Sequence, residues 1–227
     1  MKIVVINGSP RKNGATAKIL KRMQERLENK TDVSISYYNL EEYSLLNCSG
    51  CLSCYSRGIC HLKDDLENIN TKVAESDALI IGSPVYVSNV PGVLKKYIDR
   101  GHFVLEQALF GKYTFAVTTY EIGGSNDVIT ILNKLFRISG GISLGNLQVK
   151  LPFNSNPFDL SGLDARVDKA TEKIYKAITN GKTKKWFDKL FNRIAIQKVI
   201  KPYVIKKPKQ YKAVIKRWQD LGIIKDA

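Results

Sequence analysis

Short apolar runs alternate with longer amphipathic stretches through the first 180 residues of the chain. The apolar runs are rich in Val and Ile, as is typical of buried parallel strands. The amphipathic stretches repeat their apolar positions at the helical period. The predicted strands are 2–8, 33–40, 77–86, 112–120 and 142–151, and the predicted helices are 17–30, 64–76, 91–104, 125–141 and 163–180.

This alternation of strand and helix predicts a parallel sheet with right-handed crossovers. Five strands in this length of chain favour an α/β fold with a flavodoxin-like, doubly wound, five-stranded parallel sheet in the order 2-1-3-4-5. We expect residues 1–180 to form this domain and residues 181–227 to form a helical extension. Because the chain shows neither an apolar run of about 18 residues nor a secretory signal pattern, we expect a cytoplasmic protein.

All four cysteines lie in one segment, which we call the cysteine loop (residues 45–62), with the spacing C-x2-C-x2-C-x5-C. A reducing cytosol argues against structural disulfides. Structural zinc usually takes two C-x2-C pairs separated by roughly 12–20 residues, which this compact set does not provide. Steps of three residues suit an iron–sulfur cluster, whose iron corners each take one thiolate. The spacing therefore favours a cluster, while zinc and free or redox-active thiols remain alternatives.

The first loop at the carboxyl edge of the predicted sheet is "NGSPRKNGAT" (7–16). It contains neither the Gly-x-Gly-x-x-Gly of a dinucleotide fold nor the Gly-Lys-Ser/Thr of a triphosphate-binding loop. It offers the hydroxyls of Ser9 and Thr16, the cation of Arg11 and free amides at a helix N-terminus. These donors suit one phosphate monoester, and the alternative is a polar turn with an N-cap.

Two further loops follow the third and fourth predicted strands. In "GSPVYVSNVPG" (82–92), we expect Val85, Tyr86 and Val87 to form an apolar and aromatic ledge against which a flat heterocycle could stack. The alternative is a plain turn in which Tyr86 caps the core. In "TTYEIGGSND" (118–127), hydroxyls and Tyr120 precede paired glycines, which allow close backbone approach to a ligand.

Four segments together resemble the iron–sulfur flavoproteins, within the wider NAD(P)H-dependent FMN reductase and flavodoxin-like group. They are "NGSPRKNGAT", "CSGCLSCYSRGIC" with its following "DD", "GSPVYVSNVPGVLKKYIDR" and "TTYEIGG". The resemblance implies FMN, with its phosphate on Ser9, Arg11, Asn13 and Thr16 and its ring against Pro84, Val85, Tyr86, Val87, Thr118, Thr119, Tyr120 and Gly123. It also implies a [4Fe–4S] cluster on Cys48, Cys51, Cys54 and Cys60.

The resemblance further implies an oxidoreductase. Reduced nicotinamide, NADH or NADPH, or a ferredoxin would supply electrons through FMN and the cluster to a quinone, a flavin or a similar acceptor. The alternatives are an electron carrier between protein partners and a cluster-free NAD(P)H-dependent FMN reductase. Relatives usually form dimers or tetramers. We expect no catalytic acid or base, with His61 in a loop and His102 on a helix face.

The residues after 179 carry 14 Lys and Arg against three Asp and Glu, a net charge of +11 out of the formal +15 of the whole chain. An apolar helical stripe contains Phe187, Leu190, Phe191 and Ile194. We expect it to pack on the domain or on another subunit. The alternative is peripheral contact with an anionic membrane. Nucleic acid is not expected, since no recognised fold or aromatic platform accompanies the charge.

Overall fold

Five strands form one parallel sheet in the order β2-β1-β3-β4-β5. The structure is a computed structural model, and it describes residues 1–181 and 194–224. The strands are β1 (Lys2–Asn7), β2 (Ser34–Asn39), β3 (Ala78–Pro84), β4 (Tyr113–Tyr120) and β5 (Ile142–Lys150). The predicted flavodoxin-like fold and strand order are confirmed. Of the predicted apolar stripe, Phe187, Leu190 and Phe191 lie outside the described residues.

Helices cover both faces of the sheet, because neighbouring residues of a strand point to opposite sides. Val4 and Ile6 face α3, α4 and α5 of the domain core, whereas Ile3 and Val5 face α1 and α6. The helices of the domain are α1 (Ala15–Glu28), α2 (Ser53–Arg57), α3 (Leu66–Glu75), α4 (Gly92–Arg100), α5 (Ser125–Ile138) and α6 (Leu163–Asn180), with 3-10 turns at Leu40–Glu42 and Pro157–Asp159.

Two local expectations were wrong. The helix predicted over 91–104 ends at Arg100, and His102 has a left-handed backbone with φ of +55°. His102 therefore lies after the helix and not on a helix face. A Cβ at Gly101 would lie 2.0 Å from the Phe103 ring, so only glycine allows this tight exit from α4. The short helix α2 inside the cysteine loop was not predicted.

The described part of the C-terminal extension packs on the domain beside the cysteine loop. It contains a π-helix (Ala195–Ile200), α7 (Lys201–Ile205) and α8 (Lys212–Asp220). Trp218 is fully buried, and its indole Nε1 donates to the Leu105 carbonyl at 2.7 Å. Helix α8 packs against α2, where Tyr55 stacks on Tyr211 with ring centroids 5.6 Å apart. The buried side of α8 thus covers α2 of the cysteine loop, whereas Ile194, Val199 and Ile205 of the extension stay exposed.

The predicted domain boundary between residues 180 and 181 coincides with the end of α6. That the chain divides into two domains there stays a prediction. Within residues 1–181 and 194–224, no helix is long and apolar enough to cross a bilayer.

Candidate functional site

A cleft of about 630 Å³ lies where the loops after β1, β3, β4 and β5 meet at the carboxyl edge of the sheet. Open parallel sheets bind ligands at this edge, near the change in strand order. The volume falls in the ordinary range for small-molecule sites, roughly 300–1,000 Å³. The position and size of the cleft are those of a cofactor site.

One end of the cleft can hold an anion. Helix α1 begins at Ala15, and no side chain among the described residues caps its first amides. Arg11 lies beside this helix end, where its guanidinium donates to Asn154 Oδ1 at 2.6 Å and lies 5.1 Å from the centre of the Phe153 ring. Uncapped amides and a positioned cation are the donors that a phosphate group needs.

The hydroxyls at this end are already ordered by the protein. Ser9 Oγ accepts the Arg11 backbone amide at 3.0 Å, and the Thr16 and Thr119 hydroxyls lie 2.7 Å apart. Since a hydroxyl has one donor and two acceptor positions, these bonds leave further positions for a ligand. The phosphate end is therefore built before any ligand arrives.

The other end of the cleft is a raised apolar ledge. Tyr86 and Asn89 exchange two backbone hydrogen bonds of 2.8 and 2.9 Å, which closes a tight turn over Val87 and Ser88. Val87 has φ of +49°, an uncommon conformation for a β-branched residue, and it costs of order 1–3 kcal/mol. Strain of this kind concentrates at ligand-binding sites.

The structure brings eleven of the twelve predicted FMN residues to this cleft. They are Ser9, Arg11, Asn13, Thr16, Pro84, Val85, Tyr86, Val87, Thr119, Tyr120 and Gly123. Thr118 does not line it, because its side chain lies inside the protein on the opposite side of β4 from Thr119. That any of these residues contacts FMN stays a prediction.

Sequence reasoning missed the loop that follows β5. Leu151 to Ser155 lines the cleft, with Phe153 and Asn154 holding Arg11, and Glu121 and Ile122 line it from the loop after β4. The strand order itself could have revealed this loop, since the fifth parallel strand ends at the same edge as β1, β3 and β4. The residues present fit a ligand with an anionic end and a flat apolar end.

A second cavity, of about 320 Å³, is lined by all four cysteines. None of them forms a disulfide. Cys48 and Cys51 are exposed, whereas Cys54 and Cys60 are partly buried. The residues lining this cavity are all different from those lining the cleft. Among the described residues, the group of possible ligands within 4.8 Å of one another contains only Cys54 of these four, so the thiols are spread more widely than one tetrahedral ion requires and suit a larger cluster with several metal corners.

The cysteine sulfurs differ in electrostatic environment. Burial, followed by the carboxylate of Glu106 and the thiol of Cys60, raises the pKa of Cys54 to about 11. The backbone amide of Ser53 lowers the pKa of Cys51. Cys51 Sγ also lies 3.2 Å from His61 Nδ1. A bound cation would hold all four thiols as thiolates, whatever their separate preferences.

Polar groups that the sequence reasoning did not assign surround the cysteine cavity. His102 Nδ1 lies 3.0 Å from Glu106 Oε2, and one ligand atom each from His102, Glu106 and Cys54 lie within 4.8 Å of one another. Burial raises the pKa of Glu106 although its hydrogen bond with His102 opposes this. Arg100 donates to Cys60 Sγ at 3.3 Å. The cysteine cavity is thus built from distant parts of the chain.

Comparison with known proteins places this chain in a family. The NADPH-dependent FMN reductase family matches residues 1–155. An iron–sulfur flavoprotein of Clostridioides difficile is 40% identical over 226 residues, 99% of this chain and 100% of that protein. An iron–sulfur flavoprotein of Archaeoglobus fulgidus is 34% identical over 150 residues, 64% of this chain and 66% of its own length.

More distant proteins share the fold. The FMN reductase (NADPH) of Escherichia coli is 24% identical over 192 residues, 78% of this chain and 90% of that protein. An FMN-dependent NADH-azoreductase from Bacillus anthracis, solved in complex with FMN, superposes with a TM-score of 0.60 at 16% identity, covering 77% of this chain and 99% of that chain. The chain therefore belongs to the NADPH-dependent FMN reductase family of oxidoreductases, and within it to the iron–sulfur flavoproteins.

Proposed function

We propose that this chain is an FMN-dependent oxidoreductase that passes electrons from reduced nicotinamide or a ferredoxin to a quinone, a flavin or a similar acceptor. We further propose that FMN occupies the cleft and that a [4Fe–4S] cluster lies on Cys48, Cys51, Cys54 and Cys60. One observation carries the proposal. The same chain has a cleft that combines uncapped helix amides, a positioned Arg11 and an apolar ledge, and a separate cavity lined by four free thiols.

The chain's own residues would orient FMN from both ends. The phosphate would be bound by the first amides of α1 together with Ser9, Arg11, Asn13 and Thr16. The ring would be supported by Pro84 and the ledge at residues 85–87. When bound, FMN would serve as an acceptor of a hydride or of single electrons, and the cluster would serve for one-electron transfer. The preformed ledge would hold the ring in place, and we propose no acid or base from the protein.

An exposed apolar rim around the cleft supports our proposal that the chain forms a dimer or tetramer. Val87 is fully exposed, Ile122 is 91% exposed and Phe153 is 71% exposed. Contiguous apolar surface at the mouth of a site is typical of an interaction surface. Size-exclusion chromatography with light scattering tests this proposal, and a monomer at micromolar concentration would contradict it.

Anaerobic purification tests the function as a whole. We expect about four iron and four sulfide per chain after reconstitution, one FMN per chain, and oxidation of NADH or NADPH with a quinone or free flavin as acceptor. Stoichiometric zinc without iron uptake would contradict the cluster. Nicotinamide oxidation by a chain that binds FMN but no iron would favour the cluster-free reductase.

Arg11→Ala is expected to weaken FMN binding by roughly 10- to 150-fold. A hydrogen bond to a charged group contributes about 1.5–3 kcal/mol, and the guanidinium is already held at the phosphate end by Asn154. Fluorescence quenching of the flavin measures the change. Riboflavin, which has no phosphate, is expected to bind both proteins equally.

Lys12→Ala is the matched control for that substitution. This substitution removes the same charge one residue away. The Lys12 side chain pairs with Glu42 at 3.4 Å and does not line the cleft. We expect at most about a fivefold change in FMN affinity for this control, since exposed ion pairs contribute about 1 kcal/mol at most. Equal FMN affinity in Arg11→Ala and the parent would show that the phosphate site is misplaced.

A further inference from the structure

A buried ion pair joins α4 to the segment that follows the cysteine loop. The side chains of Arg100 and Asp64 are only 2% and 3% exposed. Both terminal nitrogens of the guanidinium face the carboxylate: NH1 pairs with Oδ2, and NH2 donates to Oδ1 at 3.2 Å. This forked arrangement fixes the plane of the guanidinium, which a lysine could not reproduce.

The pair also holds the two ends of the cysteine loop. At the entrance, Leu46 donates its amide to Asp64 Oδ2 at 2.8 Å, and its carbonyl accepts Arg100 NH1 at 3.0 Å. At the exit, Arg100 NH2 donates to Cys60 Sγ at 3.3 Å. Fixing both ends removes the freedom of the segment that carries all four thiols.

A purely structural role explains this arrangement poorly. Burying two charges costs several kcal/mol per ion, and an apolar pair of similar volume is often as stable or more stable. Here the guanidinium does more than satisfy the carboxylate. It lines the cysteine cavity, donates to a sulfur, and has a buried Nε without an acceptor among the described residues.

We propose that Arg100 and Asp64 are positioning residues for the cluster. The carboxylate orients the guanidinium, which ties Leu46 to Cys60 and donates a charge-assisted hydrogen bond to the Cys60 sulfur. The inference rests on the cluster proposed above. One-electron reduction adds one negative charge to a cluster, and hydrogen bonds to its sulfurs are among the factors that set its potential. The contact therefore favours the reduced cluster and raises its reduction potential.

The potential of the reconstituted holoprotein tests the redox half of this proposal. In an anaerobic titration with dithionite, followed by electron paramagnetic resonance, Arg100→Gln is expected to lower the ratio of reduced to oxidised cluster about tenfold at a fixed potential. A tenfold change in this ratio corresponds to a shift of about 59 mV in the potential of a one-electron couple. Arg100→Lys keeps the charge without the fork and is expected to shift the potential less, and it replaces Arg100→Gln if the latter does not fold.

Lys95→Gln is the matched control on the same helix. Lys95 also pairs with a carboxylate, that of Asp99 at 2.5 Å, but both side chains are exposed. Asp99 also lines the cysteine cavity but is exposed to solvent, so we expect a much smaller change of potential than in Arg100→Gln. An unchanged potential in an Arg100 variant that retains its cluster would overturn the redox half of the proposal.

Hydrogen exchange tests the positioning half without any cluster. In FMN-loaded, iron-free protein, Asp64→Asn and Arg100→Gln are expected to speed amide exchange at Leu46 at least tenfold, while amides of β1 and β3 keep their protection. Unchanged exchange at Leu46 would overturn the positioning role. A parent protein that takes up no iron would instead contradict the proposed function, so the two failures are distinct.

Discussion

Cys54→Ser is expected to reduce the iron of reconstituted protein from about four atoms per chain to less than one. A serine hydroxyl matches the thiol in size but binds iron far more weakly, and Cys54 is the thiol that lies at the start of α2, partly buried under the extension. FMN is expected to stay at one per chain, because no residue that lines the cysteine cavity also lines the cleft. Iron, sulfide and flavin assays on the same anaerobic sample measure all three quantities.

Ser56→Ala is the matched control for Cys54→Ser. Ser56 lies in the same short helix, and its hydroxyl donates to the Ser53 carbonyl at 3.1 Å, so the change removes a side-chain oxygen without removing a thiol. We expect parental iron and FMN content. Full iron uptake by Cys54→Ser would contradict the assignment of this ligand, and joint loss of iron and FMN would contradict the separation of the two sites.

The fold could be predicted because each strand of the sheet is indicated by a local pattern of residues in the sequence. Each strand is a short β-branched run followed by a polar turn and an amphipathic helix, and this pattern needs no knowledge of distant residues. The cysteine loop was equally visible, since its four thiols lie within thirteen residues of one another. The phosphate loop at residues 7–16 was recognisable from its hydroxyls, its cation and the helix that follows.

The parts that could not be predicted depend on contacts between distant segments. Arg100 and Asp64 lie 36 residues apart, and Arg11 and Asn154 lie 143 apart. Neither pair produces a periodic signal. Thr118 was assigned to the site with its neighbours, but alternation along β4 directs Thr119 to the cleft and Thr118 away from it. The fold decides which side chains meet in the two distant pairs, whereas strand alternation alone could have excluded Thr118.

Packing does not test the predicted apolar stripe of the extension, since Phe187, Leu190 and Phe191 lie outside the described residues and Ile194 is 46% exposed. A basic amphipathic segment suits either a membrane surface or a protein surface. In the described part, Val204, Tyr211, Val214 and Trp218 form one cluster with Tyr55 and Leu105 of the domain. Apolar area committed to such a cluster is not free to enter a bilayer. Membrane contact through the lysines stays a prediction of the sequence alone.

Trp218→Ala is expected to destabilise the protein by about 3–5 kcal/mol, the usual cost of truncating a buried tryptophan. The indole is fully buried, and its Nε1 donates to the carbonyl of Leu105, a residue that lines the cysteine cavity. Because about 1 kcal/mol changes the melting temperature by 2–4 °C in a chain of this size, calorimetry is expected to show a fall of roughly 6–20 °C. Loosening the cover over α2 is also expected to shorten the lifetime of the cluster in air, measured from its visible absorbance.

Trp218→Phe separates packing from hydrogen bonding. It keeps most of the apolar surface and removes the Nε1 donor, so we expect a smaller loss of about 1–3 kcal/mol, the cost of leaving the Leu105 carbonyl unsatisfied.

If the extension served mainly as a membrane anchor, Trp218→Ala would leave the melting temperature and the cluster lifetime unchanged. It would instead weaken sedimentation with anionic vesicles at low salt. Such binding would fade as salt rises, because the Debye length shortens from about 30 Å at 0.01 M to about 8 Å at 0.15 M. Unchanged stability together with lost vesicle binding would therefore overturn the assignment of the extension as a cover for the cysteine loop.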